Sequence, residues 1–243
     1  MSLNRREFLG IGAAVTAGAA IAPGIRLIEL VQARSLEEAA SAQQRWGLLI
    51  DTNKCTRNCT ACVDACFVEN GIGNKGRPAT DPQWIRKIET KDPSTGYTHS
   101  LPVLCQHCDY PPCVDVCPTG ASMKRADGIV LVDKHICIGC RFCMMACPYK
   151  ARSFVHEVIT DQKAYAPRGK GTVESCTLCV HKIDRGDGTT ACTEACNKGG
   201  HQAIIFGDLK DPNSEISKSL REKGGRQIRA DLKLNTGIRY QGL

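Results

Sequence analysis

Aromatic residues make up only 5% of the 243-residue chain, so ring stacking cannot be the main thing that holds it together. No run of about 20 strongly apolar residues occurs, which argues against a bilayer-spanning helix. No block of five like charges occurs either. Lys and Arg exceed Asp and Glu by 32 − 25 = 7, but the two signs are interspersed, which speaks against a nucleic-acid-binding face. No Cys-x-x-Cys is followed by His: Cys108 precedes Asp109, Cys140 precedes Arg141 and Cys179 precedes Val180. Covalent haem is thereby excluded. No molybdopterin domain, flavin fingerprint or nucleophile–base pair is visible, so nothing marks a catalytic residue. The length allows one large or two small domains. An apolar content of 42% permits a core, but a thin one for that length.

What the chain has instead is cysteine, 16 residues or about one in fifteen. They fall into four groups of four with none left over: Cys55, Cys59, Cys62, Cys66; Cys105, Cys108, Cys113, Cys117; Cys137, Cys140, Cys143, Cys147; and Cys176, Cys179, Cys192, Cys196. A disulfide framework would explain an even count, but regular Cys-x2-Cys pairs make poor partners for one another. Zinc ribbons would explain pairs but not the triplets at 55–66 and 137–147. A thioredoxin-like motif uses one pair.

The third group reads Cys-x2-Cys-x2-Cys-x3-Cys and ends at Pro148, the bacterial ferredoxin run. Three closely spaced thiolates wrap one corner of a cubane, and the fourth reaches the neighbouring cluster. The second group, with gaps of x2, x4 and x3, ends at Pro118 and complements the third as one two-cluster module. The first and fourth groups flank that module and must meet in space to form another. The expected fold class is therefore α+β: two bacterial-ferredoxin-like two-cluster modules, one inserted in the other, with short strands, short helices and long cluster-binding loops. The expected organisation is an outer module from 46–100 and 150–206, an inserted module from 101–149, and a C-terminal extension from 207–243. Four oxidised clusters with their thiolates would bring about −8, turning +7 into about −1. The basic excess then reads as compensation for buried anionic cofactors.

The N-terminus carries Asn4-Arg5-Arg6-Glu7-Phe8-Leu9-Gly10, followed by an uncharged Ala- and Gly-rich stretch from Phe8 to Ile25. A paired Arg before a mildly apolar stretch resembles a twin-arginine export signal. Val31-Gln32-Ala33 offers a cleavage site, which makes residues 1–33 a signal peptide and 34–45 a linker. Signals of this kind imply export of a folded, cofactor-loaded protein to the periplasm. Thiolates already bound to iron would be protected from oxidation there.

The chain resembles the four-cluster ferredoxin subunits of the DMSO-reductase superfamily of complexes. The resemblance lies in Leu101–Cys108, Pro111–Ala121, Asp127–Val130, Cys137–Cys143, Ala146–Tyr149, Cys176–Cys179, Asp184–Gly186 and Ala191–Cys196. It covers roughly Trp46 to Phe206. It implies four [4Fe-4S] clusters with these ligand sets: Cys55, Cys59, Cys62 and Cys196; Cys66, Cys176, Cys179 and Cys192; Cys105, Cys108, Cys113 and Cys147; Cys117, Cys137, Cys140 and Cys143. It also implies a non-catalytic electron-transfer subunit. The expected partners are an integral membrane quinone-interacting subunit and a multihaem c-type cytochrome, with the chain itself peripheral to the membrane. Within the family the similarity points to periplasmic subunits of sulfur-metabolism complexes, and the nitrite, tetrathionate and polysulfide reductase-type subunits share much of it. Two departures stand out. Thr56-Arg57-Asn58 puts three residues between the first two cysteines, where the family usually has two. Cys196 is followed by Asn197-Lys198-Gly199-Gly200 where Pro-Thr-Gly is usual.

Local patterns predict strands at Trp46–Asp51, Trp84–Thr90, Gly128–Val132 and Ala203–Phe206, and a helix over Ser214–Lys223. Cluster cysteines are expected on loops, with short helices after Cys66, Cys117, Cys147 and Cys196. His107 lies among the ligands but reads as a neighbour of the site or a surface group, because the cysteines already close every set.

Overall fold

Trp-Gly-Leu-Leu-Ile-Asp, residues 46–51, is apolar without alternation, the pattern of a strand covered on both faces. The computed structural model, which describes residues 40–73 and 75–243, makes it the middle strand of a three-stranded sheet. The export signal read at 1–33 and residues 34–39 of the linker lie outside the described residues. In chain order the elements are β1 (Trp46–Asp51), α1 (Ala61–Asn70), β2 (Ile85–Lys91), β3 (Thr98–Leu104), α2 (Pro112–Asp115), β4 (Ser122–Lys124), β5 (Val130–Val132), α3 (Phe142–Ala146), β6 (Ser153–Phe154), β7 (Val173–Glu174), α4 (Val180–Asp184), α5 (Ala191–Lys198), β8 (Ile204–Asp208), α6 (Glu215–Lys223), a 3-10 turn at Ala230–Leu232 and β9 (Ile238–Gln241).

β1 pairs antiparallel with β8 and parallel with β9, with Ile50 opposite both Ile204 and Tyr240. Its two faces do different things. Leu49 points to α6, meeting Leu220 across Gly225, and Ile216 seals that side. Leu48 and Ile50 join the interior that holds most of the cysteines. Gly47 makes the parallel pairing possible: a Cβ there would lie 2.3 Å from the Gly237 carbonyl, which accepts from the Leu48 N–H. The other strands form separate two-stranded ribbons, β2–β3, β4–β5 and β6–β7.

The helices differ from the sequence expectation. They do not follow the fourth cysteine of each group; they carry the cysteines. α1 holds Cys62 and Cys66, and α5 holds Cys192 and Cys196. α2 holds Cys113 and ends just before Cys117, while α3 holds Cys143 and is capped by Cys147. The reason is the x3 gap itself. Residues i and i+4 lie on one helix face, about 6 Å apart along the axis, so each pair projects two sulfurs side by side. α1 packs against α5, and α2 against α3. Each packed pair therefore aligns four thiols.

The segment read as a C-terminal extension also does more than extend. It supplies β9 to the three-stranded sheet, with Ile238 and Tyr240 both 0% exposed. The Tyr240 hydroxyl donates to the Pro102 carbonyl at 3.1 Å and accepts from Gln106 Nε2 at 3.2 Å, next to Cys105. α6 forms as expected, with the Ser214 hydroxyl accepting from the Ser217 N–H at its N-terminus.

Candidate metal centres

All sixteen cysteines are free thiols, and no disulfide forms among the described residues. Burial pushes most of them up, Cys62, Cys105, Cys108 and Cys179 to about 12. After burial, the next influence is mostly other thiols, and this shows which sulfurs are neighbours. Cys55 is acted on by Cys196 and Cys59, and Cys62 by Cys192, Cys55 and Cys196. Cys66 is acted on by Cys192 and Cys179, and Cys176 by Cys66, Cys179 and Cys192. Cys113 and Cys147 act on Cys105 and on Cys108. Cys137 and Cys117 act on Cys143. One further influence crosses between the two halves: Cys105 acts weakly on Cys176. Cys140 is the exposed member, on the loop from Cys137 to α3, and only that loop places it.

These thiols converge on spaces rather than on points. Among the described residues no three His, Cys, Asp or Glu side chains meet where a single ion would sit. Tetrahedral zinc at ~2.3 Å from each sulfur would pull four sulfurs to within ~3.8 Å of one another. Cys55, Cys59, Cys62 and Cys196 instead line one partly open, mostly apolar pocket together with Ile50, Pro102, Ala203 and Ile204. A bare thiolate set in such an apolar space is costly, and iron supplies the missing positive charge.

The surroundings of the sulfurs are those of thiolates. Backbone N–H groups point at them: Ser122 to Cys117 at 3.3 Å, Val173 to Cys137 at 3.4 Å, Leu178 to Cys176 at 3.4 Å and Ala203 to Cys196 at 3.2 Å. Left-handed residues in the Cys-x2-Cys loops, His107, Gly139 and Leu178, give these loops their tight turn. Gly139 is required twice over. Its φ is +70°, and a Cβ would lie 2.1 Å from the Gly171 carbonyl. At Cys117, burial is outweighed by hydrogen bonds from Ser122, Thr119 and Ala121, and its thiol falls below the ordinary value.

Several polar groups near the sulfurs escaped the sequence reading. Arg152 donates to Cys113 Sγ at 3.0 Å, and its Nη1 has no nitrogen or oxygen partner among the described residues. The Tyr149 hydroxyl, influenced by Cys108 and Cys147, has none either. Such donors fit an acceptor-rich sulfide group. Lys87 donates to the carbonyls of Thr56 and Cys59, which anchors the loop lengthened by one residue. His107 is fully buried, not at the surface. Its Nδ1 accepts from the Val130 N–H at 3.0 Å, and burial together with the nearby Arg152 and Arg45 lowers it to about 3, so it stays neutral. No spacing rule marks lone residues such as Arg152 or Lys87.

Comparison with known proteins gives a consistent result. The family described as 4Fe-4S dicluster domain matches residues 97–208. The chain is 40% identical to the Hdr-like menaquinol oxidoreductase iron-sulfur subunit 1 of Archaeoglobus fulgidus, over 99% of this chain and 98% of that protein. It is 38% identical to a tetrathionate reductase subunit of Salmonella typhimurium, over 91% and 80%. It is 36% identical to the protein NrfC of Escherichia coli, over 92% and 88%.

Proposed function

The chain belongs to the four-cluster ferredoxin subunits of oxidoreductase complexes, and from that premise we propose that it conducts single electrons between a membrane quinone-reactive subunit and a periplasmic redox partner. It carries four [4Fe-4S] clusters, each of which accepts and releases one electron when bound. The ligand sets are Cys55, Cys59, Cys62 and Cys196; Cys66, Cys176, Cys179 and Cys192; Cys105, Cys108, Cys113 and Cys147; and Cys117, Cys137, Cys140 and Cys143. The thiol neighbourhoods support these sets, and the crossing of each helical i, i+4 pair between two sets supports the nesting of one module in the other.

One observation carries the reading. The four neighbourhoods follow one another. The first and second share the helical pairs of α1 and α5, Cys105 of the third lies close enough to act on Cys176 of the second, and the third and fourth share the pairs of α2 and α3. All eight thiols of the two inner sets are buried, while Cys55 and Cys59 at one end and Cys117, Cys137 and Cys140 at the other reach the surface. That is the layout of an insulated line with two accessible ends. The chain's own residues hold the sulfurs, exclude water from the inner stations and offer an end to each partner.

The two ends differ, and the difference supports a fixed membrane partner. Around Cys137, Cys140 and Cys143 the exposed large apolar side chains are Ile136, Ile138, Phe142 and Met145, with the exposed His135 and Arg141 beside them. A rim of that composition suits burial in a lasting interface. Around Cys55 and Cys59 the neighbours include Lys54, Arg57 and Lys87, a rim suited to a partner that comes and goes. No helix among the described residues is long and apolar enough to cross a membrane.

At the finer level, the export signal and the three-residue gap in the first group favour the role of the DsrO subunit in DsrMKJOP sulfur-metabolism complexes, with a multihaem c-type cytochrome as the second partner. The alternative is the equivalent subunit of a nitrite, tetrathionate or polysulfide reductase-type complex, as the similarity to the tetrathionate reductase subunit and to NrfC allows. The test is purification of the tagged chain from gently solubilised membranes. Recovery with an integral membrane subunit, and reduction by quinol analogues only in its presence, supports the reading. Recovery as a free periplasmic monomer, or rapid quinol oxidation by the isolated chain, overturns it.

A further inference from the structure

Among the described residues, Arg152 is the one buried guanidinium that faces the sulfurs without a carboxylate paired to it. It is 5% exposed. One of its terminal nitrogens donates both to Cys113 Sγ and, at 2.8 Å, to the Ser122 hydroxyl; the other meets no nitrogen or oxygen partner among the described residues and faces the sulfurs, Cys143 being influenced by Arg152 as well. The groups that act on it are thiols, those of Cys113, Cys105 and Cys143. It makes no ion pair among the described residues. The other buried arginine nearby, Arg168, is neutralised by Glu174 at 2.7 Å. Lys134, whose Nζ donates to the Val173 carbonyl, is offset by Glu174 and lies toward Cys137 of the fourth set. The second ligand set is surrounded differently. There Lys182 is paired with Glu194 at 3.0 Å, and Glu69, bound to His181 at 2.7 Å, acts on Cys179.

We infer that Arg152 raises the reduction potential of the third cluster above that of the second, making the third the station where an electron rests. The inference rests on the ligand sets proposed above. Arg152 stabilises the negative charge added when one electron passes to the third cluster from a neighbour, which is oxidised as the third is reduced. No bond or proton changes in that step. Arginine suits the place because it keeps its charge when buried and its planar fork holds Ser122 and Cys113 at once. A carboxylate paired to it would cancel the effect, and none is among the described residues. Its donation to a ligand sulfur acts in the same direction, since hydrogen bonds to cluster sulfurs and local charge are among the protein's means of setting potential.

The experiment is a spectroscopically monitored redox titration of the full, anaerobically loaded chain, with dithionite as reductant. In Arg152→Gln the equilibrium constant for reducing the third cluster is expected to fall at least tenfold, which is about 59 mV for one electron. The fourth cluster, whose Cys143 also feels Arg152, should move less, and the first two should stay. Arg152→Lys should restore most of the shift, since it keeps the charge and loses the fork. Unchanged potentials in a fully iron-loaded Arg152→Gln chain, or an equal shift of all four, overturn the inference. Should Arg152→Gln fail to take up iron, the unsubstituted chain with isotope-labelled arginine decides the matter: a nitrogen hyperfine coupling on the reduced third cluster supports it, and its absence overturns it. Failure of the ligand sets themselves would look different, as missing iron and missing spin signals in the unsubstituted chain.

Discussion

Tyr240 connects the C-terminal end of the chain to the loop that holds Cys105, and substituting it measures how far the metal centres depend on the three-stranded sheet. Its ring is fully buried in β9 beside Ile50 of β1. Its hydroxyl serves both the Pro102 carbonyl and the Gln106 side chain. Tyr240→Phe keeps the packing and takes one partner from each in a dry interior, leaving Gln106 Nε2, among the described residues, only its bond to the Leu104 carbonyl. The cost of leaving buried groups unmade is about 1–3 kcal/mol. Tyr240→Ala empties the ring's volume as well, and comparable core truncations cost about 3–5 kcal/mol. Against a total stability of ~5–15 kcal/mol, the second change should bring the chain near unfolding and the first should not. Because loss of iron makes unfolding irreversible, the useful measurement is the anaerobic urea concentration at which the cluster absorbance near ~400 nm is half lost. The order expected is unsubstituted chain, then Tyr240→Phe, then Tyr240→Ala, with the exposed Leu243→Ala unchanged within about 0.5 kcal/mol. A Tyr240→Phe chain as resistant as its parent would refute the hydrogen-bond argument. A Tyr240→Ala chain as resistant as its parent would refute the claim that β9 belongs to the core.

Cys147→Ser should damage the cluster of Cys105, Cys108 and Cys113 rather than that of its own sequence group; loss of only the signal assigned to Cys137, Cys140 and Cys143 would contradict the crossing of the helical pairs. Gly139→Ala should destabilise the fourth cluster selectively, by at least the ~1–2 kcal/mol of a left-handed non-glycine residue and more from the Gly171 contact. Iron content near the parent value with an unshifted fourth signal would speak against that. Arg5 and Arg6 together changed to Lys should leave the chain in the cytoplasm with its clusters in place, and cell fractionation showing normal export would rule out the twin-arginine address. Removal of iron by an anaerobic chelator should abolish the amide-exchange protection of α2 and α3 before that of β1 and β8; an apo chain with protection intact would show that the metal centres are not part of the core.

The cysteine spacing made much of the site legible, for a reason that the helices explain. A gap of x3 is one helical turn, so the ferredoxin run at 137–147 carries its own geometry. β1 was legible because three adjacent apolar residues, Leu48, Leu49 and Ile50, leave little else for the segment to be. β9 was not, because Ile238 and Tyr240 alternate with Arg239 and Gln241 inside a polar stretch, and four residues cannot establish a period. The helices α2 and α3 are four and five residues long, too short for any periodicity, so their cysteines read as loop residues. The approach of Cys105 to Cys176 comes from tertiary placement alone. Arg152 is a single basic residue among 32, and only its burial against sulfur sets it apart.

The scarcity of aromatics and the abundance of cysteine are two sides of one arrangement. The main buried cluster among the described residues contains 29 side chains, of which ten are cysteines and only three, Trp84, Tyr149 and Tyr240, are aromatic. Where another chain of this length would place rings, this one places sulfur, as in the pocket lined by Cys55, Cys59, Cys62 and Cys196. A core built that way is incomplete as protein alone. Its thiols resist ionisation, Arg152 lacks a paired carboxylate among the described residues, and α2 and α3 fall far short of the ~12–15 residues that a helix needs to stand alone in water. Iron and sulfide close all three deficits at once, since they ionise the thiols, balance the buried guanidinium and fill the space between the helical pairs. Binding free energy of this kind is folding free energy. The sulfurs that stabilise the fold, eleven of them buried, are also the stations along which an electron moves, so the requirement for a core and the requirement for a conducting line are met by one set of sixteen residues.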